Sequence, residues 1–206
     1  MKALCEAALN QSLPGRVHHV RSGLIVGPND DTDRFTYWVR RIAAGGIALA
    51  PERRGQPVQF IDVRDLARWI LHAVEENVTG AVNAIATPGS LTIESVLNEI
   101  RAGTKKGAEL TWVGEDFLVK HKVKPSNELP RWAPTKSFLS HAGYLRRSND
   151  RALTYGLELR PLAETVAAIQ TDLATHEYSA DTESRSLRRE KEAELLRSWE
   201  AIRPTQ

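Results

Sequence analysis

The sequence has 206 residues, 41% hydrophobic and 26% charged, which excludes a disordered chain and allows one sizeable hydrophobic core. Its 28 basic and 26 acidic residues leave a formal net charge of +2, so no charge excess calls for nucleic acid or anionic lipid. A single cysteine, Cys5, excludes an intramolecular disulfide and favours a reducing compartment.

The opening residues MKALCEAALNQSLPG place Glu6, Asn10 and Gln11 where a secretory signal needs an apolar run. The longest apolar stretch, IAAGGIALA at 42–50, is far shorter than the ~20 residues of a membrane helix. A cytoplasmic protein is expected, without a membrane or nucleic-acid partner.

In chain order, residues 3–11 read as a helix, with Leu4, Ala8 and Cys5, Leu9 at four-residue spacing. Pro14 and Gly15 end it. The β-branched run 16–25 reads as a strand that enters a loop at Gly27, Pro28, Asn29 and Asp30. A helix is expected over 33–44 with Asp33 as its cap. A short strand follows at 58–61, and a strong helix runs from 62 or 63 to 76 with Leu66, Ile70 and Val74 in its apolar stripe.

The alternation continues with a strand at 81–86, a helix at 92–102 capped by Thr92, a strand at 109–113 and a short helix at 115–121. Pro125, Pro130 and Pro134 make 122–147 a long loop. Pro161 opens a helix with Leu162, Val166, Ile169 and Leu173 on its core face. Residues 177–184 read as a polar linker before a charged helix over 185–202, whose apolar side is Leu195, Leu196, Trp199 and Ile202. Strands alternating with helices predict an α/β protein with a largely parallel sheet.

Three segments carry a family likeness: KALCEAAL at 2–9 with VRSGLIVGP at 20–28, VQFIDVRDLA at 58–67, and SNDRALTYGLELRPLAETV at 148–166. In this order and spacing they resemble the extended short-chain dehydrogenase/reductase family, the NAD-dependent epimerase/dehydratase group. The likeness covers most of residues 2–176 and leaves the tail beyond it. It implies the C-terminal portion of a doubly wound, Rossmann-like parallel sheet with a small substrate-side α/β subdomain and a C-terminal helix. Residues 1–178 are then a partial domain of that kind, and 179–206 a linker and charged helix.

The resemblance also implies site residues. In the family a tyrosine and a lysine four residues later share one helix face. The tyrosine exchanges a proton with substrate, and the lysine holds the cofactor ribose and stabilises tyrosinate. Lys2 matches the lysine by position, while the tyrosine would fall before residue 1; the other reading of Lys2 is an ordinary N-terminal lysine. Ser22, Gly23 and Leu24 match the loop that lies against nicotinamide and substrate, or else form a plain strand-to-loop turn in which Gly23 relieves backbone strain. NAD or NADP is the implied cofactor and a small molecule the implied substrate. Yet no glycine-rich turn follows a strand with the dinucleotide fingerprint spacing. The chain alone is therefore expected to be a truncated, inactive form that does not bind the cofactor. The alternatives are a non-catalytic binding or regulatory remnant, or one half of a split enzyme. A homo-oligomer or partner chain would cover the open sheet edge.

Other constellations point to structure. Asp65 in the first helical turn is favoured by the helix dipole. Val58 stands where nucleotide-sugar members carry an arginine, which argues against that substrate class. His18 and His19 are adjacent on a strand and face opposite ways, so they cannot share a metal. The run KHKVK at 120–124 lacks interleaved aromatics and reads as a solvated loop, and Trp112 and Trp132 read as packing residues.

Overall fold

The computed structural model describes residues 1–140, 142–176 and 186–202. In chain order these form α1 (Lys2–Ser12), β1 (His18–Val20), β2 (Ile25–Val26), α2 (Thr36–Ala43), β3 (Ile47–Pro51), β4 (Ile61–Asp62), α3 (Val63–Glu75), β5 (Gly80–Val82), α4 (Ile93–Ala102) and β6 (Glu109–Val113). Then come α5 (Glu115–Lys120), α6 (Thr135–Ser140), a 3-10 turn (Ala142–Leu145), α7 (Asp150–Thr154), α8 (Leu162–Thr175) and α9 (Arg189–Ile202).

The strands pair in three parallel couples, β1 with β5, β2 with β4 and β3 with β6. Parallel neighbours need a crossover between them, and helices supply it. The chain leaves β3, passes through β4, α3, β5 and α4, and returns beside β3 as β6. The α/β class with parallel strands is therefore present as expected.

Local chemistry explains the best-defined helices. Asp62 caps α3 by accepting the Arg64 backbone N–H at 2.8 Å, and Leu66, Trp69 and Ala73 bury one face of that helix. Thr92 caps α4 in a reciprocal box with Ser95, at 3.1 and 2.9 Å. Pro161 stands at the cap of α8, where its missing N–H costs nothing.

Two hydrophobic clusters result. The larger gathers α2, β3, α4, β6 and α8 around Ile42, Leu49, Leu97, Ile100 and Ile169, and includes Leu187 and Leu195 from the tail. The smaller packs α3 on the β1–β5 couple through Leu66, Trp69, Val78 and Val82, with Ala152 and Leu157.

Several expected elements differ. The run 16–25 is two strands, because Gly23 takes φ +66° and breaks the extended backbone between them. Asp33 does not cap α2. It is buried with φ +55°, and the helix begins after Phe35 without a side-chain cap. Residues 122–147 hold α6 and the 3-10 turn rather than loop alone. The strand β3 had no counterpart in the sequence reading. The linker at 177–184 lies outside the described residues, and the last helix is described from Arg189. Among the described residues, no helix is long and apolar enough to cross a membrane.

Candidate functional site

Because β1 and β5 are parallel, their C-terminal ends lie together, the end at which open α/β sheets bind ligands. The chain then stays locked there. The Arg21 N–H donates to the Val82 carbonyl at 2.9 Å, and the Ala84 N–H to the Arg21 carbonyl at 3.1 Å. One step further, the Ile61 N–H donates to the Leu24 carbonyl at 2.9 Å. Ser22, Gly23 and Leu24 thus sit on the rim of this end, Ser22 and Leu24 half-buried and Gly23 exposed.

Two buried amides hold the floor beneath that rim. Gln59 donates to the carbonyls of Ala86 and Arg147, and accepts the Arg147 N–H, each at 2.9 Å. Asn149 donates to the Ile85 carbonyl at 2.9 Å and to the Thr87 hydroxyl at 3.3 Å. Ile85 in turn packs under Gly23, where an added Cβ would lie 2.4 Å from its Cδ1. Sequence reasoning did not single out Gln59 or Asn149. Both lie inside the segments that carry the resemblance, and that was the available signal.

The helix α1 runs antiparallel to β1. Glu6 pairs with Arg21 through two hydrogen bonds, one of them 2.9 Å from Nε. Asn10 bonds His19 Nε2 at 2.8 Å. Asn10 pairs with His19 and Glu6 with Arg21, so the start of α1, where Lys2 lies, points toward the C-terminal end of β1. The Arg21 guanidinium holds the Glu6 carboxyl below its ordinary range. Lys2 itself is exposed and makes no hydrogen bond or ion pair among the described residues. His18 turns the other way, edge-on to Trp69 at 5.3 Å, and burial, ahead of the charge of Arg151, lowers its pKa.

A dinucleotide also needs a place for its pyrophosphate, and α3 and α5, two of the helices that follow strands, do not offer one. At the start of α3 the Asp62 carboxylate occupies the helix N-terminus, held by Arg64 and by the Thr165 hydroxyl at 2.8 Å. Glu115 and Asp116 open α5. Each places negative charge where a phosphate would have to sit. The glycines after strands serve internal packing, since Gly23 covers Ile85 and Gly27 approaches Val63, with Cβ positions 2.4 and 2.9 Å from those side chains. The glycines at 23 and 27 and the starts of α3 and α5 therefore offer no place for a pyrophosphate.

The remaining candidates are structural. Asp65 is buried and accepts from Arg160. Trp132 is buried in the larger cluster, and Trp112 lies under the Arg54 guanidinium at 4.6 Å. No group of three or more metal-ligating side chains occurs among the described residues. A polar cavity of about 1090 Å³ lies away from the rim, lined by Asp33, Arg34, Lys124, Glu128, Arg188 and Arg197 among others.

No protein-family profile and no curated protein matches this sequence. Solved structures do. RMD from Pseudomonas aeruginosa, complexed with NADPH, aligns with a TM-score of 0.57 at 16% identity, over 84% of this chain and 53% of its own. UDP-glucose 4-epimerase from Thermus thermophilus, complexed with NAD, gives 0.52 at 15% identity, over 82% and 51%. A human epimerase family protein, SDR39U1 with NADPH, gives 0.48 at 22% identity, over 78% and 49%. The chain spans about half the length of the structures it matches. The first two alignments establish the fold: this chain has the Rossmann-like α/β architecture found in about half of each of those two structures.

Proposed function

We propose that these residues form the substrate-side half of an NAD(P)-dependent epimerase or reductase, and that alone they neither hold the cofactor nor turn over substrate. The observation that carries the reading is the shared end of the molecule. The Ser22–Leu24 rim continues from the C-terminal end of the parallel β1–β5 couple, the contacts of Asn10 with His19 and Glu6 with Arg21 support a position for Lys2 toward that end, and carboxylates stand at the starts of α3 and α5. In this reading Lys2 and Ser22–Leu24 meet the nicotinamide ribose and the substrate. A second segment or chain supplies the glycine-rich loop and the tyrosine.

The open side of the β1–β5 couple favours a composite site over an isolated remnant. β1 pairs only with β5 among the described strands, and no residue of α1 is buried. Calorimetric titration of the 206-residue chain with NAD(H) and NADP(H) tests the proposal. No saturable heat is expected with either, and a micromolar isotherm overturns it. Hydride-transfer assays over sugar, steroid and aldehyde substrates are expected to show no turnover for the wild-type chain or for Lys2→Ala. Turnover that disappears in Lys2→Ala would show that the chain carries a working site by itself.

A further inference from the structure

Residues 186–202, expected from the sequence as a charged helix with one apolar side, are anchored at four separate places. The Ser186 hydroxyl donates to buried Asp33 Oδ2 at 2.6 Å. The Leu187 N–H donates to the Glu128 carbonyl at 3.0 Å, and Lys191 Nζ reaches both Glu128 carboxylate oxygens at 2.8 Å. Glu192 accepts from Arg41 Nε at 2.6 Å and from the Leu49 backbone N–H at 3.0 Å. Leu195 is buried in the larger cluster, and Trp199 packs edge-on to Phe117 at 5.2 Å.

The Glu192–Arg41 pair is the centre of this docking. Its side chains are 3% and 4% exposed. Arg41 also donates to the carbonyls of Gly45 and Ile47, so one guanidinium ties α2, the turn before β3 and α9 together. The Leu49 N–H lies on the edge of β3 that β6 does not cover. Glu192 takes the place of a neighbouring strand there.

The anchors at Asp33 and Glu128 sit on two loops that face each other across the 1090 Å³ cavity, and Arg188, with Lys191 and Arg197 of α9, supplies its third wall. The same loops hold five non-glycine residues with left-handed φ: Asn29 and Asp33 on one, Lys122, Ser126 and Arg131 on the other. Such backbone is strained and persists only where its surroundings over-determine it. Ser186 grips Asp33 directly, and Leu187 and Lys191 grip the loop that carries Ser126 and Arg131.

We propose that residues 186–202 are a strap that fastens both loops and the free edge of β3, so that the docking of α9 sets the shape of the polar cavity. The proposal is independent of the cofactor reading, since none of these residues lies on the rim around Ser22.

Amide hydrogen exchange on the full chain tests it, with Glu192→Gln, which keeps shape and removes charge. Exchange at Leu49 and across residues 27–35 and 121–134 is expected to quicken on the order of tenfold, with amides of residues 69–82 unchanged. Acceleration confined to α9 makes the helix a passenger, and equal acceleration everywhere makes Glu192 a contributor to stability alone. Either result overturns the proposal. Ser186→Ala is the milder variant if Glu192→Gln does not fold. It is expected to quicken exchange across residues 27–35, and unchanged exchange there also overturns the strap.

Discussion

Arg160 grips Asp65 from 95 positions away, with its backbone N–H at 2.9 Å and its guanidinium at 2.8 and 2.7 Å. This contact fastens the chain entering α8 to the first turn of α3. The Asp65 side chain is 2% exposed and the Arg160 side chain 11%. Removing one partner of a buried pair costs roughly 3–5 kcal/mol when the other charge is left uncompensated, but Arg160 keeps a second carboxylate, Asp62, at 3.7 Å. Asp65→Ala is therefore expected to lower the urea unfolding free energy by less than that range, on the order of 2 kcal/mol. Asp65→Asn is expected to cost less, because it keeps part of the hydrogen bonding. Equal stability of Asp65→Ala and wild type would remove this contact from the account of the fold.

The Gly23 position admits no side chain. Its φ of +66° is unfavourable for an L-residue, and a Cβ would lie 2.4 Å from Ile85 Cδ1. The strained backbone alone costs of order 1–3 kcal/mol. Gly23→Ala is expected to destabilise by at least that much, measured by urea titration. Gly23→Ala with Ile85→Val is expected to recover only a part, since the second change relieves the clash and leaves φ as it was. Full recovery in the double variant would mean that the clash, and not the backbone, is the whole cost.

Much of the fold was legible because local and global signals agree. The start of α3 at Asp62, the Thr92 cap of α4 and Pro161 before α8 are all short-range patterns. The expected α3 stripe of Leu66, Ile70 and Val74 holds fully only at Leu66: Ile70 is half-buried, Val74 is exposed, and the buried face runs through Trp69 and Ala73. The strand β3 was not legible. Ala48, Leu49, Ala50 and Pro51 are all buried, so no alternation marks the run, and apolar runs of that length are ambiguous by periodicity. Asp33 misled for a related reason. A carboxylate before a helix looks like a cap, whereas Asp33 binds Arg40 and Ser186, the latter 153 positions on. The rim at Ser22–Leu24 came from the resemblance. Its floor, Gln59 bonded to Arg147 across 88 positions, depends on tertiary contacts that no spacing rule encodes.

Asp62 gives the fold a dependence on acid. Burial pushes its carboxyl up, but hydrogen bonds from Arg64 and from the Thr165 hydroxyl outweigh that, and the net shift is downward. A carboxylate with a lowered folded-state pKa adds stability that is complete above its unfolded pKa of ~3.9 and is lost as pH falls through the folded value. Asp33 works the other way. Burial raises its pKa against the pull of Ser186 and Arg40, so its contribution weakens as pH rises. Urea midpoints between pH 2 and pH 6 are expected to fall on the acid side in the wild type. In Asp62→Asn that fall is expected to be shallower, and an unchanged slope would assign the acid sensitivity to other groups.

The last expectation concerns the face that the described chain leaves uncovered. β1 is bonded to β5 along one edge only, and its other edge presents backbone N–H and C=O groups as a template for pairing. On the face of the couple to which His19 and Arg21 point, α1 buries no residue, and Leu4 is 73% exposed. On the opposite side of the couple, Leu71 and Val74 of α3 are exposed as well. Burying a leucine is worth roughly 1.5–3 kcal/mol, so a few such side chains suffice to drive association at ordinary protein concentrations. Expressed alone, the 206-residue chain is expected to elute as a species larger than a monomer by size-exclusion chromatography with light scattering. Leu4→Glu combined with Leu9→Glu is expected to shift it toward the monomer without moving its thermal transition, because neither side chain is buried within the fold. A wild-type chain that remains a monodisperse monomer under the same conditions would show that this face does not associate.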